Sequence, residues 1–110
     1  MLDPARPLFD ITLLGMGPDG HTASLLPGEP VLDERKRWVA AVSHGRPEVR
    51  ITMTYPVIDS SRKVAFLVAG KEKAPIFRTI RAGNSQLPAA RVSPVGELIW
   101  FVDRAAAGEG

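Results

Sequence analysis

The chain has 110 residues, 45% hydrophobic, 24% charged and only 6% aromatic, the make-up of one globular domain, which excludes a disordered tail or a fibrous protein. It contains no cysteine, which removes thiol nucleophiles, zinc–thiolate centres and disulfides together and fits a cytoplasmic location. The net charge of +2 comes from 14 basic and 12 acidic residues scattered along the chain without aromatic interleaving, so no nucleic-acid partner is expected; no apolar run is long enough to span a bilayer, and no membrane partner is expected either.

In chain order, Phe9 to Leu14 reads as a short buried strand that ends in the glycine loop Gly15-Met16-Gly17-Pro18-Asp19-Gly20. His21 to Leu26 reads as a short helical turn stopped by Pro27-Gly28, followed by a polar connection in which Arg35-Lys36-Arg37 forms a solvated turn. Trp38 to Ser43 is a second candidate strand. Arg50 to Thr54 alternates with period two, Ile51 and Met53 on one face and Thr52 and Thr54 on the other, and Tyr55 to Ser61 reads as a helical turn. Val64 to Ala69 is the clearest strand, six apolar residues as in parallel strands covered on both faces. Lys71 to Arg81 is a helix candidate with Pro75 in its first turn, and Leu98 to Val102 is the last strand, after which Asp103 to Ala107 starts a helix. Trp38 and Trp100 are expected in the core, and His44 on a surface loop. The alternation of strands and helices predicts an α/β fold with a mostly parallel sheet flanked by helices, in a single domain over residues 1–110.

The loop matches the Gly-x-Gly-x-x-Gly dinucleotide pattern, but no acidic residue closes the next strand and Pro18 sits where amides should face a pyrophosphate, so no dinucleotide cofactor is expected. What lifts the loop above a tight turn is His21, directly after Gly20 at the mouth of a strand, where ligands bind in open α/β sheets and where glycines allow close approach. At the head of a helical turn the imidazole would be kept neutral and able to accept a proton. Asp19 would orient it, bind a substrate hydroxyl, or simply serve the turn. No second histidine or carboxylate stands at metal-ligand spacing from His21, so no metal is expected.

The segment Asp10-Ile-Thr-Leu-Leu-Gly-Met-Gly-Pro-Asp-Gly-His-Thr-Ala-Ser-Leu-Leu-Pro27 resembles the signature of 6-phosphogluconolactonases. Arg50-Ile-Thr-Met-Thr54, Val64-Ala-Phe-Leu-Val-Ala-Gly-Lys-Glu-Lys-Ala74, Leu87-Pro-Ala-Ala90 and Trp100-Phe-Val-Asp-Arg-Ala-Ala106 follow in that family's order. The resemblance implies a sugar-phosphate isomerase (Rossmann-like) fold and hydrolysis of 6-phospho-D-glucono-1,5-lactone, a step of the pentose phosphate pathway, with a small-molecule sugar-phosphate lactone as partner and no cofactor. It implies His21 as the base that activates water, with Asp19 beside it, and Gly17, Gly20, Lys73 and Arg50 as substrate-binding residues. Lys73 matches the lysine of the family's Gly-x-x-Lys-Ala stretch and would meet the substrate phosphate; without the resemblance it is an exposed helix lysine. Arg50 either approaches the substrate or supports the loop, and backbone amides around Gly17 to Gly20 are candidates for an oxyanion site.

The similarity is to the family's C-terminal half. The earlier phosphate loop, of Gly-Gly-Ser-Thr-Pro type, does not occur, so the sheet is expected to be missing its N-terminal half, with an uncovered edge through which the chain would self-associate. A truncated, non-catalytic fragment of the same fold is the alternative expectation. Related glucosamine-6-phosphate deaminases share the Asp-Gly-His stretch but carry a glutamate where this chain has Leu26, which favours the lactonase reading.

Overall fold

A computed structural model describes residues 2–43, 47–83 and 86–108. The expected surface position of His44 lies outside them. Among these residues five strands and two short α-helices run in the order β1 (Phe9–Leu14), β2 (Val39–Val42), β3 (Arg50–Met53), α1 (Tyr55–Asp59), β4 (Ser61–Val68), α2 (Ala74–Arg81) and β5 (Glu97–Val102). The main sheet has three parallel strands in the order β1-β4-β5, whereas β2 and β3 form a separate antiparallel pair. The expected mostly parallel α/β sheet is therefore present, with a small hairpin beside it.

One face of the main sheet carries the core. Leu14 of β1 and Val64, Phe66 and Val68 of β4 are buried there, and Trp100 of β5 stacks on Phe66 with ring centroids 4.1 Å apart. The amphipathic helix α2 closes this face through Phe77, whose ring meets Trp100 at 5.8 Å. Even the polar groups here are paired: Thr12 and Ser61 are buried together with their hydroxyls 2.8 Å apart, and Ser61 donates to the Ile58 carbonyl at 2.7 Å. That anchoring explains why β4 begins at Ser61 rather than at Val64, where the apolar run starts.

The other face is bare. Ile11 and Leu13 of β1, Leu67 of β4 and Phe101 of β5 share it by register, and they are 61%, 64%, 52% and 57% exposed. The expectation that Val64 to Ala69 is covered on both faces is thus corrected. The chain is a slab 22 Å thick, two layers rather than the three of a sheet sandwiched between helices, and its radius of gyration of 14.1 Å exceeds the value of about 13 Å for a compact domain of this length. Each of those four side chains forgoes roughly 1 kcal/mol of the stabilisation that full burial would supply.

Several elements differ from their sequence signals. His21 to Leu26 is no helical turn: Thr22 and Leu25 form an isolated antiparallel bridge, and Ala23 between them has φ of 51°, which a right-handed helix cannot accommodate. Lys71–Lys73 is a 3-10 turn, and α-helix begins only at Ala74, one residue before Pro75, whose missing N–H costs nothing in the first turn. Pro88–Arg91 adds a 3-10 turn inside the expected loop. Asp103 to Ala107 closes a single turn through the Ala107 amide and the Asp103 carbonyl at 3.0 Å and goes no further as a helix. Thr52 of β3 and Thr54 just after it are buried, whereas Ile51 is 69% exposed. Trp38, expected in the core, is 46% exposed just before β2, beside Leu2, Lys36 and Pro56. The solvated turn at Arg35-Lys36-Arg37 is as expected, with the Glu34 carboxylate accepting from the amides of Lys36 and Arg37 at 3.1 and 3.0 Å.

A cleft of about 240 Å³ lined by Arg35, Tyr55, Pro56, Asp59 and Arg91 lies against α1. Burial pushes the Asp59 carboxyl up to about 6, against the opposing effects of the Ser93 amide, which donates to it at 2.9 Å, and of the Arg35 charge. Its pKa is higher folded than unfolded, so its contribution to stability is full below about pH 4 and is lost as pH rises through 6. Asp59→Asn keeps an acceptor for Ser93 and removes the buried charge. It is expected to stabilise the chain by about 1 kcal/mol at pH 7.5, allowing for partial solvent screening, with the gain vanishing by pH 4. Thermal unfolding at the two pH values checks this, and an equal effect at both would show that the charge is not the cause.

Candidate functional site

The parallel strands deliver their C-terminal ends to one rim of the sheet. β1 ends there in the glycine loop, β4 in Gly70 and the Lys71–Lys73 turn, and β5 in Asp103. Such a rim is the usual ligand site of an open α/β sheet.

The glycine loop folds back on itself. The Gly17 amide donates to the His21 carbonyl at 2.9 Å, the Gly20 amide to the Gly17 carbonyl at 2.9 Å, and the Thr22 hydroxyl to the Gly15 carbonyl at 2.7 Å. Gly20 has φ of 85°, the left-handed region, and the Leu87 side chain packs where its Cβ would stand, 3.0 Å away. Gly17 is small for a different reason: a Cβ there would stand inside the His21 ring. The imidazole therefore rests on the bare backbone of Gly17.

His21 Nδ1 lies 2.6 Å from Asp19 Oδ1, and the same oxygen accepts from the His21 backbone amide at 3.1 Å. An ionised carboxylate only accepts, so Nδ1 carries the hydrogen and Nε2 presents its lone pair. Partial burial works against ionisation of Asp19, but the hydrogen bonds from His21, and the charge of its ring when protonated, outweigh that and hold the carboxyl below its ordinary value. The site is half open: the side chains of His21 and Asp19 are 37% and 50% exposed. Because no helix begins at His21, orientation of the imidazole comes from Asp19 and Gly17 and not from a helix terminus.

The amides of Gly17 and Gly20 and the backbone amide of His21 all donate within the loop, so they are not free to form the oxyanion site expected of this segment. Lys73, half-buried, closes the 3-10 turn at the end of β4, on the same rim as His21. Arg50 opens β3 opposite Val42, exposed, and it is Thr52 of the same strand that reaches the loop, accepting from the Ser24 amide at 3.1 Å.

Three supports were not legible as site residues. Tyr55 donates to the Pro88 carbonyl at 2.7 Å, and the next amide, Ala89, donates to the Gly20 carbonyl at 2.9 Å, so α1 braces the loop from behind. Arg91 stacks its guanidinium over the Tyr55 ring at 5.2 Å. Asp103 accepts from the Gly70 amide at 3.3 Å and the Ala106 amide at 2.8 Å, tying the turn before Lys73 to the end of β5. Only the Asp after a strand is a sequence signal for such a tie; the Tyr55 brace joins residues 33 apart. Among the described residues no group of three or more His, Cys, Asp or Glu is assembled to hold a metal ion, and no helix is long and apolar enough to cross a membrane.

Comparison with known proteins gives this arrangement a family. Residues 1–100 match the family described as glucosamine-6-phosphate isomerases/6-phosphogluconolactonase. Rat 6-phosphogluconolactonase is 47% identical over 105 residues, which are 92% of this chain and 41% of the relative. A chloroplastic 6-phosphogluconolactonase of Arabidopsis thaliana is 45% identical over 106 residues, 94% of this chain and 33% of the relative. The structure of 6-phosphogluconolactonase from Trypanosoma brucei superposes with a TM-score of 0.77 at 30% identity, covering 97% of this chain and 45% of that one. A monomeric glucosamine-6-phosphate deaminase also shares the fold, with a TM-score of 0.70 at 27% identity over 92% of this chain and 48% of that one. The chain thus spans about 41% of the rat relative's length and corresponds to the C-terminal part of such proteins. It belongs to the glucosamine-6-phosphate isomerase/6-phosphogluconolactonase family.

Proposed function

We propose that this chain carries the water-activating centre of a 6-phosphogluconolactonase, which hydrolyses 6-phospho-D-glucono-1,5-lactone to 6-phosphogluconate. The observation that carries the reading is the 2.6 Å contact between His21 Nδ1 and Asp19, which leaves Nε2 as a proton acceptor at the rim of the sheet. Nε2 takes a proton from water as the water oxygen attacks the lactone carbonyl. The bond from that carbon to the ring oxygen then breaks, and His21 returns the proton to the departing oxygen. Water is thereby added across the ester and no covalent enzyme intermediate is required. Asp19 stabilises the imidazolium formed on the way.

Gly17 and Gly20 serve by shaping the loop that presents His21 to the sugar ring, Lys73 by attracting the phosphate, and Arg50 by contacting the substrate or supporting the loop through β3. A cytoplasmic location is part of the same proposal. Deaminase chemistry is disfavoured by Leu26, which offers no carboxylate at the position where the resembling deaminases carry a glutamate.

A second reading, a fragment without activity of its own, is favoured by the bare sheet face and by the chain's 41% share of the rat relative. The test is acceleration of 6-phosphogluconate formation over the spontaneous rate, alongside ammonia release from glucosamine 6-phosphate. Lactone acceleration without ammonia is expected. Ammonia release alone would overturn the lactonase reading, and a well-folded chain inert toward both would establish the second.

A further inference from the structure

We propose that the cleft against α1 binds a small oxyanion of two charges, a phosphate or its monoester, between Arg35 and Arg91, and that its occupancy steadies the glycine loop. The proposal does not depend on the reaction assigned to His21.

The cleft lies away from the rim that carries the imidazole. Asp59, which lines it, comes just before the start of β4, and Ser93, whose amide meets Asp59, comes shortly before β5. This end of the cleft is therefore where the parallel strands begin, whereas the glycine loop and Lys73 stand where they end. Its volume of about 240 Å³ falls below the roughly 300–1,000 Å³ of sites that enclose drug-sized ligands, and suits an ion or a small ester.

Two arginines from separate segments converge there. Nη1 of Arg35 donates to the Leu32 carbonyl at 3.2 Å, and Nη2 of Arg91 donates to the same oxygen at 3.4 Å. Two like charges thus meet at one neutral acceptor. Their other polar contacts are long: Arg35 reaches the Glu34 carbonyl at 3.4 Å, and Arg91 the exposed Asp33 carboxylate at 4.0 Å. The Tyr55 ring lies beneath the Arg91 guanidinium at 5.2 Å and holds it in place without using its N–H groups. A guanidinium carries five such donors, and among the described residues neither group makes a further hydrogen bond. An oxyanion of two charges would take up these unused donors and offset the repulsion between the two cations, whereas a carboxylate brings only one charge.

Asp59 sets the pH at which this happens. One of its oxygens accepts from the Ser93 amide at 2.9 Å, and the other makes no hydrogen bond among the described residues. Arg35 and Arg91 line the cleft with it, Tyr55 stands one turn earlier on α1, and Asp3 adjoins it in a neighbouring hollow with Ser60 and Val95. Below about pH 6 the carboxyl is neutral and can donate its O–H to the anion; above that its charge repels the anion. Affinity therefore falls as pH rises through 6, and binding at neutral pH takes up a proton.

The cleft shares a wall with the brace behind the glycine loop. Arg91 ends the Pro88–Arg91 turn. Within that turn the Pro88 carbonyl accepts from Tyr55 at 2.7 Å, and the Ala89 amide donates to the Gly20 carbonyl at 2.9 Å. An anion that ties Arg91 to Arg35 fixes the end of the turn, and through Ala89 it restrains Gly20.

Sulfate is the probe, because its charge is constant over this pH range. It is titrated into the full chain at constant ionic strength, balanced with chloride, while NMR follows the guanidinium carbons of Arg35 and Arg91 and the hydrogen exchange of the Ala89 amide. Both arginines are expected to saturate with one midpoint, at millimolar sulfate or below, and exchange at Ala89 to slow at least about threefold. Affinity is expected to be higher at pH 5 than at pH 7.5. Asp59→Asn, whose amide can donate at either pH, should remove that difference. Arg35→Gln changes an exposed side chain and leaves the fold intact; it should weaken binding about 10- to 100-fold, the worth of a hydrogen bond to a charged group. Arg91→Gln should do the same. Shifts that chloride alone reproduces overturn the site, acetate binding as tightly as sulfate overturns the preference for two charges, and unchanged affinity in Arg35→Gln overturns the arginine pair. Saturation of both arginines with no slowing at Ala89 overturns the link to the loop.

Discussion

Replacing His21 with Asn is expected to lower lactone hydrolysis by about 10²- to 10⁴-fold, the usual range for loss of a general acid–base group. The loss should fall on kcat more than on KM, because the imidazole is asked to move a proton and not to hold the substrate. Stability should change little, since the His21 side chain is 37% exposed and its ring hydrogen bond, with Asp19, is a half-exposed pair. The measurement is steady-state lactone hydrolysis in whichever form of the chain, alone or fused to the remainder of the fold, turns over fastest. Turnover within a few-fold of the parent would remove His21 from the reaction.

The second large effect is expected from Gly17→Ala, a change of one methyl group outside any reacting atom. The new Cβ would occupy the space of the His21 ring, so the imidazole has to leave its seat on the backbone and its contact with Asp19. A displacement of about 1 Å in a catalytic group costs on the order of 100-fold in rate. The fold itself should survive, because the half-open site lets the ring swing toward solvent. The signature is a large loss of kcat with a near-parental melting temperature and a shifted His21 imidazole resonance. An active Gly17→Ala variant with an unmoved resonance would show that the ring does not depend on this seat. Gly20→Ala would be less informative, since there a strained backbone and a collision with Leu87 add to any effect on the histidine.

These two residues show how far the chain could be read before its fold was seen. The Gly15–Gly20 loop and the position of His21 behind it are local features, written in consecutive residues, and β1 runs over Phe9–Leu14 as the apolar run indicates. The residues alone leave Asp19 three options, to orient the imidazole, to bind a substrate hydroxyl or to serve the turn, and the 2.6 Å between its oxygen and Nδ1 supports the first. Why the ring needs Gly17 was not legible, because the contact depends on how the loop folds back. The helical turn expected at His21 failed for a similar reason. Thr22 gives its hydroxyl to Gly15 and pairs with Leu25, and those contacts prevail over the helix propensity of a short apolar run.

Burial was the least legible property of all. An apolar run such as Val64 to Ala69 reports that a strand has two apolar faces, not that both are covered, and Leu67 is exposed on one of them. Trp38 and Ile51 are exposed for the same class of reason: hydrophobicity records what a residue favours, while exposure records which elements are present to cover it.

By itself, then, the sequence determined the strands, the parallel α/β class, the family and the histidine at the end of β1, all of which follow from local pattern and from motifs in a fixed order. The tertiary structure alone decided which side of each strand is covered, that Tyr55, Thr52 and Asp103 brace the loops of the site, and that the imidazole is clamped between Gly17 and Asp19. Coverage and bracing depend on contacts between residues far apart in the chain, and the clamp on how the loop folds back on itself, neither of which hydrophobic periodicity encodes.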